Sequence, residues 1–297
     1  MRAGDCDKKD QRKHPILDRL LAWDELAEWQ QDNAYLIRGY RSLTSSYKKS
    51  IRSIFSIHNQ TLNIHTHLLG LLLFAALAYD LWQELAPFYA SATHGDLVAF
   101  GSFFGGLFTC LSFSVAFHTF SNHSRCIYER FLLLDFLGIL SLIAGSWIPG
   151  IYYGFFCRPT TSRIYWTMIL TVTTACAITL SVPLFRSPAF HSFRVTLFTS
   201  LGLSGVAPMA YAAVEYGVSQ AHAQMGWGWF VLEGVFYFSG VVIYASKVPE
   251  KLAPGRFDIV GSSHQIFHVL VLCGAGAHLA GIVQAFVYNH HPDTRLC

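Results

Sequence analysis

Apolar residues of this chain are concentrated in seven stretches that short polar segments separate. Each stretch has roughly 20 residues, and a helix of that length spans a hydrocarbon core about 30 Å thick. Glycine and proline are frequent within them, as is common in transmembrane helices. The pattern predicts an all-α bundle of seven transmembrane helices, near residues 63–84, 97–120, 130–153, 164–184, 194–214, 228–246 and 265–288.

The polar regions predict how the rest of the chain is divided. We expect a cytoplasmic N-terminal segment over 1–60, a seven-helix domain over 61–289 and a short outer tail over 290–297. Leucines and tryptophans at helical spacing in residues 18–33 predict an amphipathic helix that lies on the membrane or on the protein. Residues 46–55 form a basic run suited to anionic lipid headgroups. The first residues contain no apolar stretch, so no cleaved signal peptide is expected.

Composition supports the membrane class. Hydrophobic residues make up 53% of the chain and charged residues 13%, against about 25% charged in an ordinary soluble domain. We therefore expect an integral protein of the plasma membrane or the endoplasmic reticulum. The net charge of +3 gives no reason to expect nucleic acid as a partner. The seven cysteines form no Cys-x-x-Cys pair, which argues against a disulfide framework and a thiolate zinc site.

Lysine and arginine predict the orientation. Eighteen of the 21 fall in the N-terminal segment and in the loops on its side of the bundle, or just inside the flanking helices. The opposite side holds only Arg158, Arg163 and Arg295. The positive-inside rule then places the N-terminus in the cytoplasm and the C-terminus outside. This orientation is opposite to that of G-protein-coupled receptors.

Four ionisable residues fall in one layer of the predicted membrane. His118 lies near the end of the second helix, Asp135 about one turn into the third, and His264 and His268 at the start of the seventh. All four are at the predicted cytoplasmic face. Ionisable groups within a membrane are costly, so their coincidence at one depth indicates a functional site.

The three histidines form a plausible metal site. His264 and His268 are four residues apart and share one helix face, and His118 can approach from a neighbouring helix. Three histidines with an open fourth position describe a catalytic zinc site, although imidazole also suits copper, iron and nickel. Ser114 lies one turn before His118, and Asp135 is placed to hold or deprotonate a water bound to the metal.

Other polar residues of the predicted helices are assigned structural roles. His278 is about 15 Å further along its helix than His268, too far to join the same site. His67, His123 and His278 are predicted to be ordinary core histidines. Three acidic residues near the outer ends of their segments are expected to meet water, namely Asp80, Glu84 and Glu233.

The motifs that carry these residues resemble those of the progestin and adipoQ receptor family, which includes the adiponectin receptors, fungal homologues and the more distant haemolysin-III-like proteins. The resemblance covers most of the chain, extends to the fungal-type members, and implies seven helices with a cytoplasmic N-terminus. It also implies zinc on His118, His264 and His268, with Asp135 on the zinc-bound water. Ser114 matches a serine shared with the alkaline ceramidases. The matching segments are 32–41, 53–70, 112–124, 133–139 and 255–272.

Three positions depart from the adiponectin receptor pattern. Gln60 stands where those receptors have glutamate, and His65 and Val260 stand where they have tryptophan. We expect these positions to lie outside the zinc shell. They should affect which ligand molecule the protein recognises and how the N-terminal segment is coupled to the bundle.

Three functions remain open. The first is a zinc-dependent hydrolase of ceramide-like lipid amides, with Asp135 as general base and an acyl chain entering from the bilayer. The second is a receptor in which an extracellular ligand shifts the bundle and zinc is structural. The third is a zinc sensor or transporter, or a protein of zinc and lipid homeostasis without catalysis. A structural site usually has four protein ligands, and only three are identified, which favours catalysis.

Overall fold

A computed structural model of the protein describes residues 19–294, so the ends of the predicted N-terminal segment and outer tail lie outside the described residues. Seven helices in this part are long and apolar enough to cross a membrane. The predicted all-α bundle of seven spanning helices is thereby confirmed. In chain order the helices are α1 Tyr47–Arg52, α2 Thr61–Glu84, α3 His94–Phe120, α4 Arg125–Gly154, α5 Pro159–Ser181, α6 Pro183–Arg186, α7 His191–Leu203, α8 Val206–Tyr216, α9 Val218–Met225, α10 Trp227–Ser246 and α11 Ser263–His290.

Several observed helices begin a few residues before the predicted bounds, and one predicted span is interrupted. The fifth span, Pro188–Tyr216, is interrupted between α7 and α8. Helix α4 begins at Arg125, five residues before the predicted start, because the charged residues Arg125, Glu129 and Arg130 lower the hydropathy of its first turns. Asp135 therefore lies about three helical turns from the start of α4 instead of one.

The outer surface of the bundle is apolar. Leu69, Leu72 and Val98 are each more than half exposed, and all three lie on spanning helices. Soluble monomers rarely expose apolar surface continuously, whereas a bilayer covers it with acyl chains. The described surface is that of an integral membrane protein.

Close packing of α3 against α4 holds two halves of the predicted site together. A Cβ atom on Gly106 would collide with the carbonyl oxygen of Ser141, and one on Gly145 would collide with that of Ser102. Only glycine permits this reciprocal approach of the two backbones. The helices that carry His118 and Asp135 therefore run side by side.

Residues 19–33 do not form the predicted amphipathic helix. They contain strand β1, Leu20–Leu21, followed by two short 3-10 turns. Strand β1 pairs in antiparallel fashion with β2, Tyr40–Arg41. The amide of Trp23 also donates to the carbonyl of Ile37 at 2.9 Å. Hydrogen bonds to a later part of the chain therefore determine the structure of this segment. The helical spacing of its apolar residues gives no sign of them.

The N-terminal segment packs on one end of the bundle. The carboxylate of Asp258 accepts from the amides of Ile37 and Arg38 at 2.7 and 3.0 Å. Asn33 donates to Glu250 at 3.0 Å, and the amide of Ser45 donates to the carbonyl of His123. The N-terminal segment and the loops before α4 and α11 thus share one end of the molecule.

Candidate metal centre

Three histidines converge at this end of the bundle. His118 lies near the C-terminus of α3, and His264 and His268 lie in the first two turns of α11. Each offers a ring nitrogen within 4.8 Å of the other two. The Nε2 atoms of His118 and His264 are 3.3 Å apart. These three residues are the predicted ligands, and the cluster could hold a metal ion.

The donor atoms fit a tetrahedral zinc ion. The Nδ1 atom of His118 lies 2.7 Å from Oε1 of Gln60, an acceptor only, so Nδ1 carries the proton and Nε2 presents a lone pair. Two ligands at about 2.0–2.1 Å from a tetrahedral ion are about 3.3 Å apart. The observed separation of the two Nε2 atoms agrees with that value. Three imidazoles would leave the fourth position of a tetrahedral ion without a ligand from this group of residues.

The start of α11 is capped so that its first turn is held in place. Ser262 and Gln265 form a capping box, and Gln265 Oε1 also accepts from the amide of Gly261 at 2.6 Å. The buried carboxylate of Glu250 accepts from the amide of Ser263 at 2.8 Å and from its hydroxyl. A negative charge at a helix N-terminus is favourable. These contacts fix the turn that carries His264.

Arg41 plays the corresponding role at the end of α3. Its guanidinium donates to the carbonyls of His118 and Thr119 and to the hydroxyl of Ser53. Burial lowers the pKa of Arg41 to about 9, so the side chain stays cationic at neutral pH. A cation at a helix C-terminus complements the helix dipole. Arg41 therefore ties the N-terminal segment to the backbone of His118.

Asp135 and Ser114 lie together beside the histidines. Ser114 is buried one turn before His118, and its hydroxyl lies next to the carboxylate of Asp135 on α4. Asp135 is outside the group of donor atoms within 4.8 Å of one another. A carboxylate near the cluster but not in it is compatible with the predicted role on a water, which stays a prediction.

His67, predicted to be an ordinary core histidine, is buried and packs against the centre. Its ring stacks on that of His268, with centroids 3.7 Å apart and planes 8° apart. Both of its ring nitrogens are buried without a hydrogen-bond partner. Helix α2 begins at the same end of the bundle, two turns before His67. His67 lies at the same depth in the predicted membrane as His118, Asp135, His264 and His268. Its depth is therefore the sequence signal that indicates a place near the centre.

The prediction for Glu233 was wrong. It was expected to meet water, but its carboxylate lies 2.8 Å from Nδ1 of the buried His278. The His278 ring is stacked between Phe103 and Phe230, with centroids 4.9 Å from each. This pair joins α10 to α11 far from the three ligands. Asp80 is exposed, as predicted.

A cleft connects the centre with the end of the bundle. It has a volume of about 130 Å³, lies between the N-terminal segment and the helix ends, and reaches His118 and His264. Its walls carry polar and aromatic side chains, among them Asn33, Tyr40, Asn63, Tyr128, Tyr244 and Lys247. Water and polar groups therefore have a route to the histidines from this end.

Known proteins share this chain's sequence over most of its length. The haemolysin-III related family matches residues 55–279. The adiponectin receptor protein of Drosophila melanogaster is 39% identical over 267 residues, which cover 90% of this chain but only 60% of that protein. The ADIPOR-like receptor IZH2 of Saccharomyces cerevisiae is 36% identical, over 93% of this chain and 86% of the relative. Heptahelical transmembrane protein 1 of Arabidopsis thaliana is 36% identical, over 92% and 82%. The chain belongs to the haemolysin-III related family, the family of adiponectin receptor-like membrane proteins.

Proposed function

We propose that the protein is a zinc-dependent hydrolase of lipid amides such as ceramides. The observation that carries the proposal is the convergence of three histidine nitrogens with one position left open. Ser114 lies one turn before His118 on α3, next to the carboxylate of Asp135. The centre lies in a bundle with an apolar outer surface, where a substrate with long acyl chains is concentrated.

Zinc, when bound, would polarise the amide carbonyl and acidify a water. Asp135 would accept a proton from the attacking water and return it to the leaving amine. A carbon–oxygen bond forms and the carbon–nitrogen bond breaks, giving a fatty acid and an amine. Ser114 would orient the Asp135 carboxylate through its hydrogen bond.

The proposed substrate is tested by incubating purified protein with a panel of lipid amides, ceramides first, and measuring the released fatty acid by mass spectrometry. We expect ceramide turnover that a chelator abolishes and added zinc restores. If no amide is hydrolysed by protein that holds zinc, the hydrolase proposal fails.

We further propose that the centre faces the cytoplasm. The lysine- and arginine-rich segments lie at its end of the bundle, as the positive-inside rule requires.

Epitope tags at the two termini test this orientation. In intact cells that display the protein at their surface, we expect antibody to label a C-terminal tag. An N-terminal tag should be labelled only after permeabilisation. Labelling of the N-terminal tag on intact cells would reverse the orientation.

A receptor is the second candidate, because two relatives carry the names adiponectin receptor protein and progestin and adipoQ receptor-like protein 1. In that case zinc would join α3 to α11, and an extracellular ligand would act from the opposite end. Hydrolysis and signalling are compatible if the released product is the signal. Zinc-loaded protein without amide turnover would favour the receptor alone.

A further inference from the structure

Gln60 directly precedes α2 and contacts a residue of the metal centre. Its Oε1 atom lies 2.7 Å from Nδ1 of His118. The same oxygen accepts from Nδ2 of Asn63 at 2.8 Å. Gln60 is not one of the three predicted ligands, but it hydrogen-bonds to one of them.

Capping of α2 does not explain this side chain. Gln60 occupies the N-cap position, yet its side chain makes no capping hydrogen bond. Its amide oxygen is directed instead at α3, 58 residues further along the chain. The Gln60 oxygen thus joins the side chain of Asn63, in the first turn of α2, to His118 on α3.

We infer that Gln60 is a positioning residue that controls how tightly the centre holds zinc. This inference rests on the proposed function, because it assumes that His118 is a zinc ligand. An acceptor on Nδ1 fixes the tautomer and the ring plane of a ligating histidine. A carboxylate in that place also makes the imidazole more basic, whereas the neutral amide of Gln60 does so less.

The same face of α2 serves a second ligand. The hydroxyl of Thr66 lies 3.3 Å from Nδ1 of His268, and the ring of His67 stacks on it. Helix α2 therefore orients two of the three histidines without offering a ligand of its own to the cluster. The hydrogen bond from His118 to Gln60 is shorter than the contact between Thr66 and His268. Replacing glutamine by glutamate changes this acceptor to a carboxylate with almost no change in the shape of the side chain.

The test is zinc affinity, measured on purified protein by competition with a chelator of known affinity. Gln60→Leu removes the acceptor, and we expect it to weaken zinc binding by about 10–100-fold. Gln60→Glu supplies a carboxylate, and we expect it to strengthen binding by about tenfold. The matched controls are Gln83→Leu and Gln83→Glu, at the exposed far end of the same helix, which should leave the affinity unchanged.

Two further readouts distinguish positioning from folding. The metal-free forms of wild type and Gln60→Glu should melt at the same temperature. With cobalt bound in place of zinc, the visible absorption bands of wild type and Gln60→Glu should differ, because the carboxylate changes how strongly the His118 imidazole donates to the metal. If Gln60→Leu does not fold, the near-isosteric Gln60→Glu decides the question alone.

The outcomes separate this inference from the proposed function. Wild-type affinity and an unchanged cobalt spectrum in Gln60→Glu would overturn the role of Gln60, while zinc binding by the histidines would still stand. A wild-type protein that binds no zinc would overturn both. Loss of turnover without any change in zinc affinity would also refute the inference.

Discussion

His264→Ala should remove zinc and hydrolytic activity together. Zinc sites in small proteins bind with about 10–16 kcal/mol, shared by about four ligands, so one ligand is worth about 3 kcal/mol or more than 100-fold in affinity. A zinc ion on the three histidines would also link α3 to α11, and a bound ion stabilises the folded state. We therefore expect substoichiometric zinc, a lower melting temperature and no detectable ceramide turnover from the same preparation.

The control for this variant is His65→Ala. His65 lies on α2 near the centre, but its Nδ1 atom bonds to the carbonyl of Thr61 within its own helix. It should keep its zinc and its turnover. Full zinc occupancy in His264→Ala, and still more in a triple alanine variant of His118, His264 and His268, would remove the cluster as the zinc site.

Asp135→Asn should separate metal binding from catalysis. Asparagine keeps the size of the side chain and can still accept from Ser114, but it cannot take a proton from water. The variant should retain its zinc and its melting temperature. Ceramide turnover should fall by roughly 10²–10⁴-fold, the usual contribution of a positioned general base. Zinc content, melting temperature and turnover are measured on one preparation.

Asp80→Asn, at an exposed position near the far end of α2, is the matched control and should behave like the wild type. Turnover at the wild-type rate in zinc-loaded Asp135→Asn would exclude Asp135 as the base. Loss of zinc from that variant would instead make Asp135 part of the ligand shell.

The spanning helices and most of the centre could be predicted because they depend on local patterns. Length and hydropathy predict the seven helices. The predicted positions along the spanning helices place His118, Asp135, His264 and His268 at one depth in the membrane, without knowledge of any contact. Positions at which α3 and α4 touch, such as Gly106, carry no such signal, because a glycine in a helix does not reveal its neighbour.

The surroundings of the ligands could not be predicted, because they depend on contacts between distant parts of the chain. Glu250 caps α11 from a loop and also bonds to Asn33, 217 residues away. Arg41 reaches the end of α3 from a strand whose pairing overrode the helical pattern of 18–33. The capping box of Ser262 and Gln265 is the exception, since a serine followed three residues later by a glutamine is a sequence signature of a helix N-terminus.

The most direct test of the account is zinc-edge X-ray absorption on the purified protein, combined with metal analysis. The structure predicts about one zinc per chain, with three imidazole nitrogens at about 2.0–2.1 Å and one further light-atom ligand that is not from the protein. His268→Ala should change that spectrum or abolish it. Absence of bound zinc, sulfur among its ligands, or an unchanged spectrum in His268→Ala would contradict the assignment of a three-histidine centre.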